Sequence, residues 1–215
     1  MTQFNRFNRF FKSEGRTVIV QPLCKLNMKP LKSNNTEIKG FHTQDYDGSF
    51  ECLDFSESNI IDSTFLGKSF KYCDFKGVLI QNSSMTHIFF KGVDLRGSKI
   101  YNAVFDNADL SKSIINDCFI EKVSFINIKA EDALFKDDTI KKCDFSNAFL
   151  VNADFRGSVL SGVNFRNADL RGVSFRNTYL NHVDFEGADI SDVDFRGAKF
   201  NKCNALDMKK EGVIY

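Results

Sequence analysis

The sequence predicts an all-β fold in which the chain winds as a four-sided β-solenoid of about eight 20-residue coils, closed by a short N-terminal cap. Three observations predict it. Every fifth residue from Phe50 to Phe200 is apolar, 31 positions in succession. Residue types recur at a spacing of 20, as in Asn107, Asn127, Asn147 and Asn167. The chain also holds 24 Phe, no Trp and only 2 Pro, and 16 of the Phe fall in the every-fifth series.

At a 42% hydrophobic background an unbroken series of this length arises by chance with a probability on the order of 10⁻¹². The residue two before a member is usually small or β-branched, as at Ala103, Ala108, Val123, Ala133, Ala153 and Val163. The unit is small, polar, bulky, polar, polar. A period of five matches neither the 3.6 of a helix nor the 2 of a strand. It fits a short strand followed by a tight turn, with the bulky and small residues inward and a corner every five residues.

The number of corners per coil follows from the longer correlation. Phe65, Met85, Phe105, Phe125, Phe145, Phe165 and Phe185 stand 20 apart, and so do Ile60, Ile80, Ile100, Ile120, Ile140, Leu160 and Leu180. Ten residues on from the first of these runs a second Phe-rich series, from Phe55 through Phe75, Phe135, Phe155 and Phe175 to Phe195. Twenty residues per coil means four sides: two opposite Phe sides, an Ile/Leu side, and a mixed side. Stacked at the spacing of adjacent strands, the coils make a rod roughly 37 Å long. Burial of each large apolar side chain contributes about 1.5–3 kcal/mol, and like stacks on like.

Three regions follow. Residues 1–47 lie outside the register and carry 8 basic against 4 acidic residues. There Phe4, Phe7 and Phe11 recur at helical spacing with Arg6 and Arg9 facing away, which predicts a short helix capping the first coil; the alternatives are a secretion segment or a membrane-surface contact. Thr17–Val20 reads as a strand that begins or covers the first coil. Residues 48–204 are the solenoid, and residues 205–215 a C-terminal cap in which Val213, Ile214 and Tyr215 add an edge strand.

Composition narrows the function. The 215 residues balance 29 Lys and Arg against 28 Asp and Glu, which weighs against a polyelectrolyte nucleic-acid binder. No apolar run reaches the length of a membrane span, and no continuous apolar stretch of the Sec type follows the N-terminus. Of the six Cys, none forms a CxxC pair, and Cys73, Cys118, Cys143 and Cys203 hold the small inward place, where a thiol is an apolar filler in a reducing compartment. His42, His87 and His182 are isolated. Nothing looks catalytic, and no metal or cofactor is called for. Pairs such as Asp74/Lys76, Asp94/Arg96, Asp154/Arg156 and Asp194/Arg196 fall on one Phe side as a mutually neutralised face.

The Ile/Leu side breaks the expected polarity. Leu79, Tyr101, Phe119, Val159 and Tyr179 take outward places there, among Lys99, Lys122, Lys141, Lys142, Lys199 and Lys202, with only Asp62 and Glu121 as acids. An exposed apolar stripe on a rod points to a binding or self-association surface, for a protein partner or a second copy of the chain. A flat rod offers no groove-reading element for nucleic acid.

Ala108-Asp109-Leu110, Ala153-Asp154-Phe155, Ala168-Asp169-Leu170 and Ala188-Asp189-Ile190 carry a resemblance to the pentapeptide repeat proteins, whose pattern is Ala-Asp/Asn-Leu/Phe-X-X. The resemblance implies a right-handed quadrilateral β-helix. Some members of that family bind DNA gyrase and topoisomerase IV by imitating the width and negative charge of duplex DNA, and protect them from quinolones or toxins. Others are type III effectors with a non-repeat segment before the coils. This chain departs from the DNA-imitating members, because residues 48–204 hold 22 acidic and 19 basic residues and no in-register interruption that would project a loop. The expectation is a non-catalytic interaction scaffold of the bacterial cytoplasm, with topoisomerase protection or secretion into a host cell as alternatives.

Overall fold

The computed structural model describes residues 9–13, 16–20, 37–42, 50, 53–204 and 214. In chain order the first two strands are β1 (Arg9–Ser13) and β2 (Arg16–Val20), paired antiparallel. Nine three-residue strands follow and stack in parallel: β3 (Glu37–Lys39), β4 (Asn59–Ile61), β5 (Leu79–Gln81), β6 (Lys99–Tyr101), β7 (Phe119–Glu121), β8 (Thr139–Lys141), β9 (Val159–Ser161), β10 (Tyr179–Asn181) and β11 (Lys199–Asn201). From β4 onward each central residue faces the one 20 positions on, Ile60 against Ile80, Ile100 against Ile120, Leu160 against Leu180. The other three sides pair through single bridges at the same spacing, such as Val104 with Ser124, Asp109 with Lys129 and Ile114 with Leu134. The fold is the four-sided β-solenoid of about eight turns that the repeat implies, and no helix occurs among the described residues.

The five-residue unit fits this winding for a definite reason. On a typical side, the Val104 N–H donates to the Ser83 carbonyl of the preceding coil (3.0 Å), and the next residue, Phe105, donates to the Ser124 carbonyl of the following one (2.7 Å). The chain then turns: Ala108 donates to the Phe105 carbonyl (3.0 Å), with Asn107 between them at a φ of 60°. Every coil repeats that left-handed corner, which suits Gly, Asn and Asp and costs other residues strain. The place two residues after each bulky side chain is dominated by those three types, as at Asn127, Asp137, Gly157 and Asn167.

Inside, the two Phe series form ladders. Phe135, Phe155 and Phe175 stack nearly parallel, with centroids 4.7 and 5.2 Å apart, and Phe125, Phe145 and Phe165 do so at 4.6 and 5.2 Å. Across the core the ladders meet edge to face, Phe145 with Phe155 at 85°. Stacked and T-shaped geometries are the two arrangements the ring quadrupole favours, each worth about 0.5–1.5 kcal/mol beyond area burial.

The ends depart from the repeat. Residues 9–13 are a strand, so the helical face through Phe4, Phe7 and Phe11 does not form: Phe11 lies in β1, while Phe4 and Phe7 fall outside the described residues. Phe10 and Phe11 pair with Ile19 and Val18, and an aromatic pair opposite a β-branched run prefers the extended chain whatever its spacing in sequence. Thr17–Val20 is a strand as read, but its partner is β1 rather than the first coil. The parallel stack itself reaches back to β3, ahead of the register that begins near residue 48. There 22 residues separate Ile38 from its partner Ile60, so counting in fives misses the coil. Phe41 fills the small inward place above Ser63, accepting no register partner of its own size, and its ring lies 4.9 Å from Phe65 and 5.8 Å from Phe50. At the other end Ile214 bridges Asp194, again 20 residues on; Val213 and Tyr215 lie outside the described residues.

Candidate functional site

The Ile/Leu side differs from the others in local structure. Each coil contributes three paired residues there and a single bridge elsewhere, so β3 to β11 form one continuous parallel sheet. With the central residue inward, both flanking side chains stand on the outer face. One outer row is Leu79, Lys99, Phe119, Thr139, Val159, Tyr179 and Lys199; the other runs Ile61, Gln81, Tyr101, Glu121, Lys141, Ser161, Asn181 and Asn201.

All five stripe residues read from the sequence therefore lie on this face, and four of them form two patches. Tyr101 and Phe119 come from adjacent strands and opposite rows, with ring centroids 5.4 Å apart, and the Lys141 ammonium sits 5.1 Å over the Phe119 ring. Val159 and Tyr179 are neighbours in one row, 39% and 41% exposed. Thr139 separates the patches, and Lys99 sets Leu79 apart from Phe119. Ile61, half-buried at the first full coil, extends the apolar surface and was not picked out by the pattern. Exposed Phe89 and Phe149 are on the mixed side with Asp109 and Lys129 between them, and single apolar residues on a surface are ordinary.

The Asp/Arg side is neutralised as expected. Asp94 and Asp154 each hold an arginine in a fork, Arg96 at 2.7 Å and Arg156 at 2.7 Å, and the column is completed by Lys76 on Asp74, Lys136 also on Asp154, and Arg176 and Arg196 on Asp194. The Arg196 guanidinium bonded to Asp194 holds that carboxyl below the usual range, against the effect of partial burial.

Inside the rod one residue stands out that the reading of the sequence missed. Asp138, 1% exposed, occupies the small inward place beneath the corner that leads into the Ile/Leu side. Its column above and below is Ser98, Cys118, Ser158 and Thr178, and each of these donates to the carbonyl 23 residues earlier: Ser98 to Phe75 (3.0 Å), Cys118 to Leu95 (3.1 Å), Ser158 to Phe135 (2.6 Å), Thr178 to Phe155 (3.0 Å). Burial pushes the Asp138 carboxyl up to about 8, with the charges of Asp117 and Asp137 adding to it and the bond from the Cys118 N–H opposing it. Burial likewise pushes the Cys118 and Cys143 thiols up to about 12, so they are protonated and unreactive at neutral pH. Among the described residues no group of three His, Cys, Asp or Glu could hold a metal ion, and no helix is long and apolar enough to cross a membrane.

A comparison with curated protein sequences returns no match. Among solved structures, full-length QnrB1, a plasmid-mediated fluoroquinolone resistance protein, is similar at 16% identity over 83% of this chain and 91% of its own, with a TM-score of 0.36. HetL, involved in heterocyst differentiation regulation in the cyanobacterium Nostoc sp. strain PCC 7120, is similar at 13% identity over 81% of this chain and 89% of its own, with a TM-score of 0.33. A pentapeptide repeat protein of the Arabidopsis thaliana thylakoid lumen reaches 22% identity over 57% of this chain and 68% of its own, with a TM-score of 0.32. The family model for pentapeptide repeats matches in eight copies at residues 73–111, 90–125, 141–177 and 170–204. These segments span more than half of the sequence, and with the four-sided coil they establish that the chain belongs to the pentapeptide repeat family.

Proposed function

We propose that the protein is a non-catalytic binding scaffold that captures a protein partner on its Ile/Leu side, through the patches Tyr101/Phe119 and Val159/Tyr179 with Leu79 as an outlying contact. One observation carries the reading: exposed Val159 and Tyr179 and the packed pair Tyr101 and Phe119 gather on the side that forms a continuous sheet. Aromatic side chains held rigidly by a β-scaffold supply contact area at little entropic cost. Buried thiols raised to about 12 favour a binding role over nucleophilic chemistry.

The test compares two double variants of the full chain. Phe119→Ala/Tyr179→Ala removes aromatics from the Ile/Leu side, and Phe89→Ala/Phe149→Ala removes as many from the mixed side. With circular dichroism unchanged, the first loses capture of partner from a lysate of the source cells and the second keeps it. Equal behaviour of the two variants overturns the proposal.

A further inference from the structure

The charges of the rod are not evenly spread. Residues 53–204 carry 19 Lys and Arg against 21 Asp and Glu. Six of the basic residues and two of the acidic ones, Asp62 and Glu121, belong to the Ile/Leu side and the corner that follows it. That leaves 13 basic and 19 acidic residues for the rest of the rod. A molecule close to neutral overall thus has one cationic side.

Pairing sharpens the contrast. On the Asp/Arg side all of Lys76, Arg96, Lys136, Arg156, Arg176 and Arg196 are in ion pairs. On the Ile/Leu side none of Lys99, Lys122, Lys141, Lys142, Lys199 and Lys202 has one among the described residues. Lys122, Lys142 and Lys202 moreover occupy left-handed corners, at φ of 56°, 52° and 52°, where Asp62, Asn82 and Asn102 serve the earlier coils. Asn Nδ2 groups ladder at those earlier corners, Asn82 to Asp62 (3.2 Å) and Asn102 to Asn82 (3.3 Å). The lysines forgo that ladder and take on backbone strain; Lys122 and Lys142 set two unpaired ammonium groups on adjacent coils beside the apolar patches, and Lys202 a third beyond Gly162 and His182.

We infer that the partner of this side is an acidic polypeptide surface, with carboxylates that meet Lys122, Lys141, Lys142 and Lys202 and apolar side chains that cover Tyr101/Phe119 and Val159/Tyr179. This rests on the reading of the Ile/Leu side as the binding surface. Complementary charge around an apolar centre supplies partner choice and a fast encounter, while the apolar centre supplies the affinity. A single-stranded nucleic acid would satisfy the lysines as well, but it needs open ring faces on which to stack bases. Phe119 is flanked by Tyr101 and covered by Lys141, which favours the polypeptide.

The experiment pans a random peptide display library on the full-length protein and re-tests every enriched peptide on Phe119→Ala/Tyr179→Ala. Peptides that depend on the two aromatics carry an excess of Asp and Glu together with apolar residues. Synthetic copies of them bind about tenfold or more weakly to Lys122→Glu/Lys141→Glu/Lys142→Glu, and weaken as salt rises. Aromatic-dependent peptides that are neutral or basic overturn the acidic partner and leave the binding side standing. Enriched peptides indifferent to Phe119 and Tyr179, or no enrichment over a blank surface, overturn both. Tighter aromatic-dependent binding of an oligothymidylate probe assigns the side to nucleic acid and overturns the inference.

Discussion

The Cys118 backbone N–H donates to one carboxyl oxygen of Asp138 at 2.7 Å inside the solenoid, and the second oxygen of Asp138 has no hydrogen-bond partner among the described residues. In the same column Ser98, Cys118, Ser158 and Thr178 are each donors to a main-chain carbonyl. An ionised carboxylate is a pure acceptor and cannot take that role, whereas a protonated one can.

Stability should therefore fall as pH rises across the range where Asp138 is protonated in the folded rod and ionised in the unfolded chain. The folded value is about 8 and an unfolded Asp lies near 3.9, so the folded state binds the extra proton between them. The stabilisation is complete at low pH and is lost toward pH 8, at no more than about 1.4 kcal/mol per pH unit. Asp169 and Asp194, held low by Arg171 and Arg196, act in the opposite sense and below about pH 4. Denaturant unfolding from pH 5 to 9 checks this: Asp138→Asn flattens the slope, and Asp138→Ser, the choice made at Ser98 and Ser158, is more stable than the parent at pH 8.

Replacing Phe155 should be costly. It stacks on Phe135 and Phe175 and meets Phe145 and Phe165 edge to face, so Phe155→Ala leaves a cavity bounded by four rings. The expected loss is about 3–5 kcal/mol, with Phe155→Leu well below it. Urea midpoints at constant m-value measure both.

Two corner glycines separate strain from crowding. Gly97 is at a φ of 69° with open space where a Cβ would stand, while at Gly187, φ 71°, the Cβ would fall 2.3 Å from Asn167 Oδ1. Gly97→Ala is expected to cost about 1–2 kcal/mol for the left-handed backbone alone. Gly187→Ala costs more, and adding Asn167→Ala recovers the excess in a double-mutant cycle.

Gyrase supercoiling, with and without a quinolone, should be unaffected by excess protein. Imitation of duplex DNA needs a strongly negative surface, whereas residues 53–204 carry 19 Lys and Arg against 21 Asp and Glu, and Asp94, Asp154 and Asp194 each hold an arginine. Relief of quinolone inhibition would contradict this account of the surface charge.

The coil was legible because one inward slot recurs 31 times from Phe50 to Phe200, and a slot filled by the same kind of side chain leaves a period. Ile38 and Phe41 were not, since the 22-residue spacing to Ile60 breaks the period while the sheet continues. The segment around Phe11 misled because helical spacing says nothing about the β-branched partner that β2 supplies. The stripe could be read because outward places follow from the register. Its division into two patches depended on which strand neighbours which, and Thr139 between Phe119 and Val159 is a fact of stacking. Asp138 did leave a signal: it and Lys68 are the charged residues in the small inward slot between residues 53 and 203.

The central claim, that partners are held on the Ile/Leu side, is tested most directly by site-specific photocross-linking in the source cells. A benzophenone side chain in place of Tyr179, and separately in place of Phe149 on the mixed side, samples the two candidate surfaces at similar exposure. The account predicts one discrete adduct from position 179, abolished by Phe119→Ala, and none from position 149. Adducts from 149 with none from 179 would contradict it.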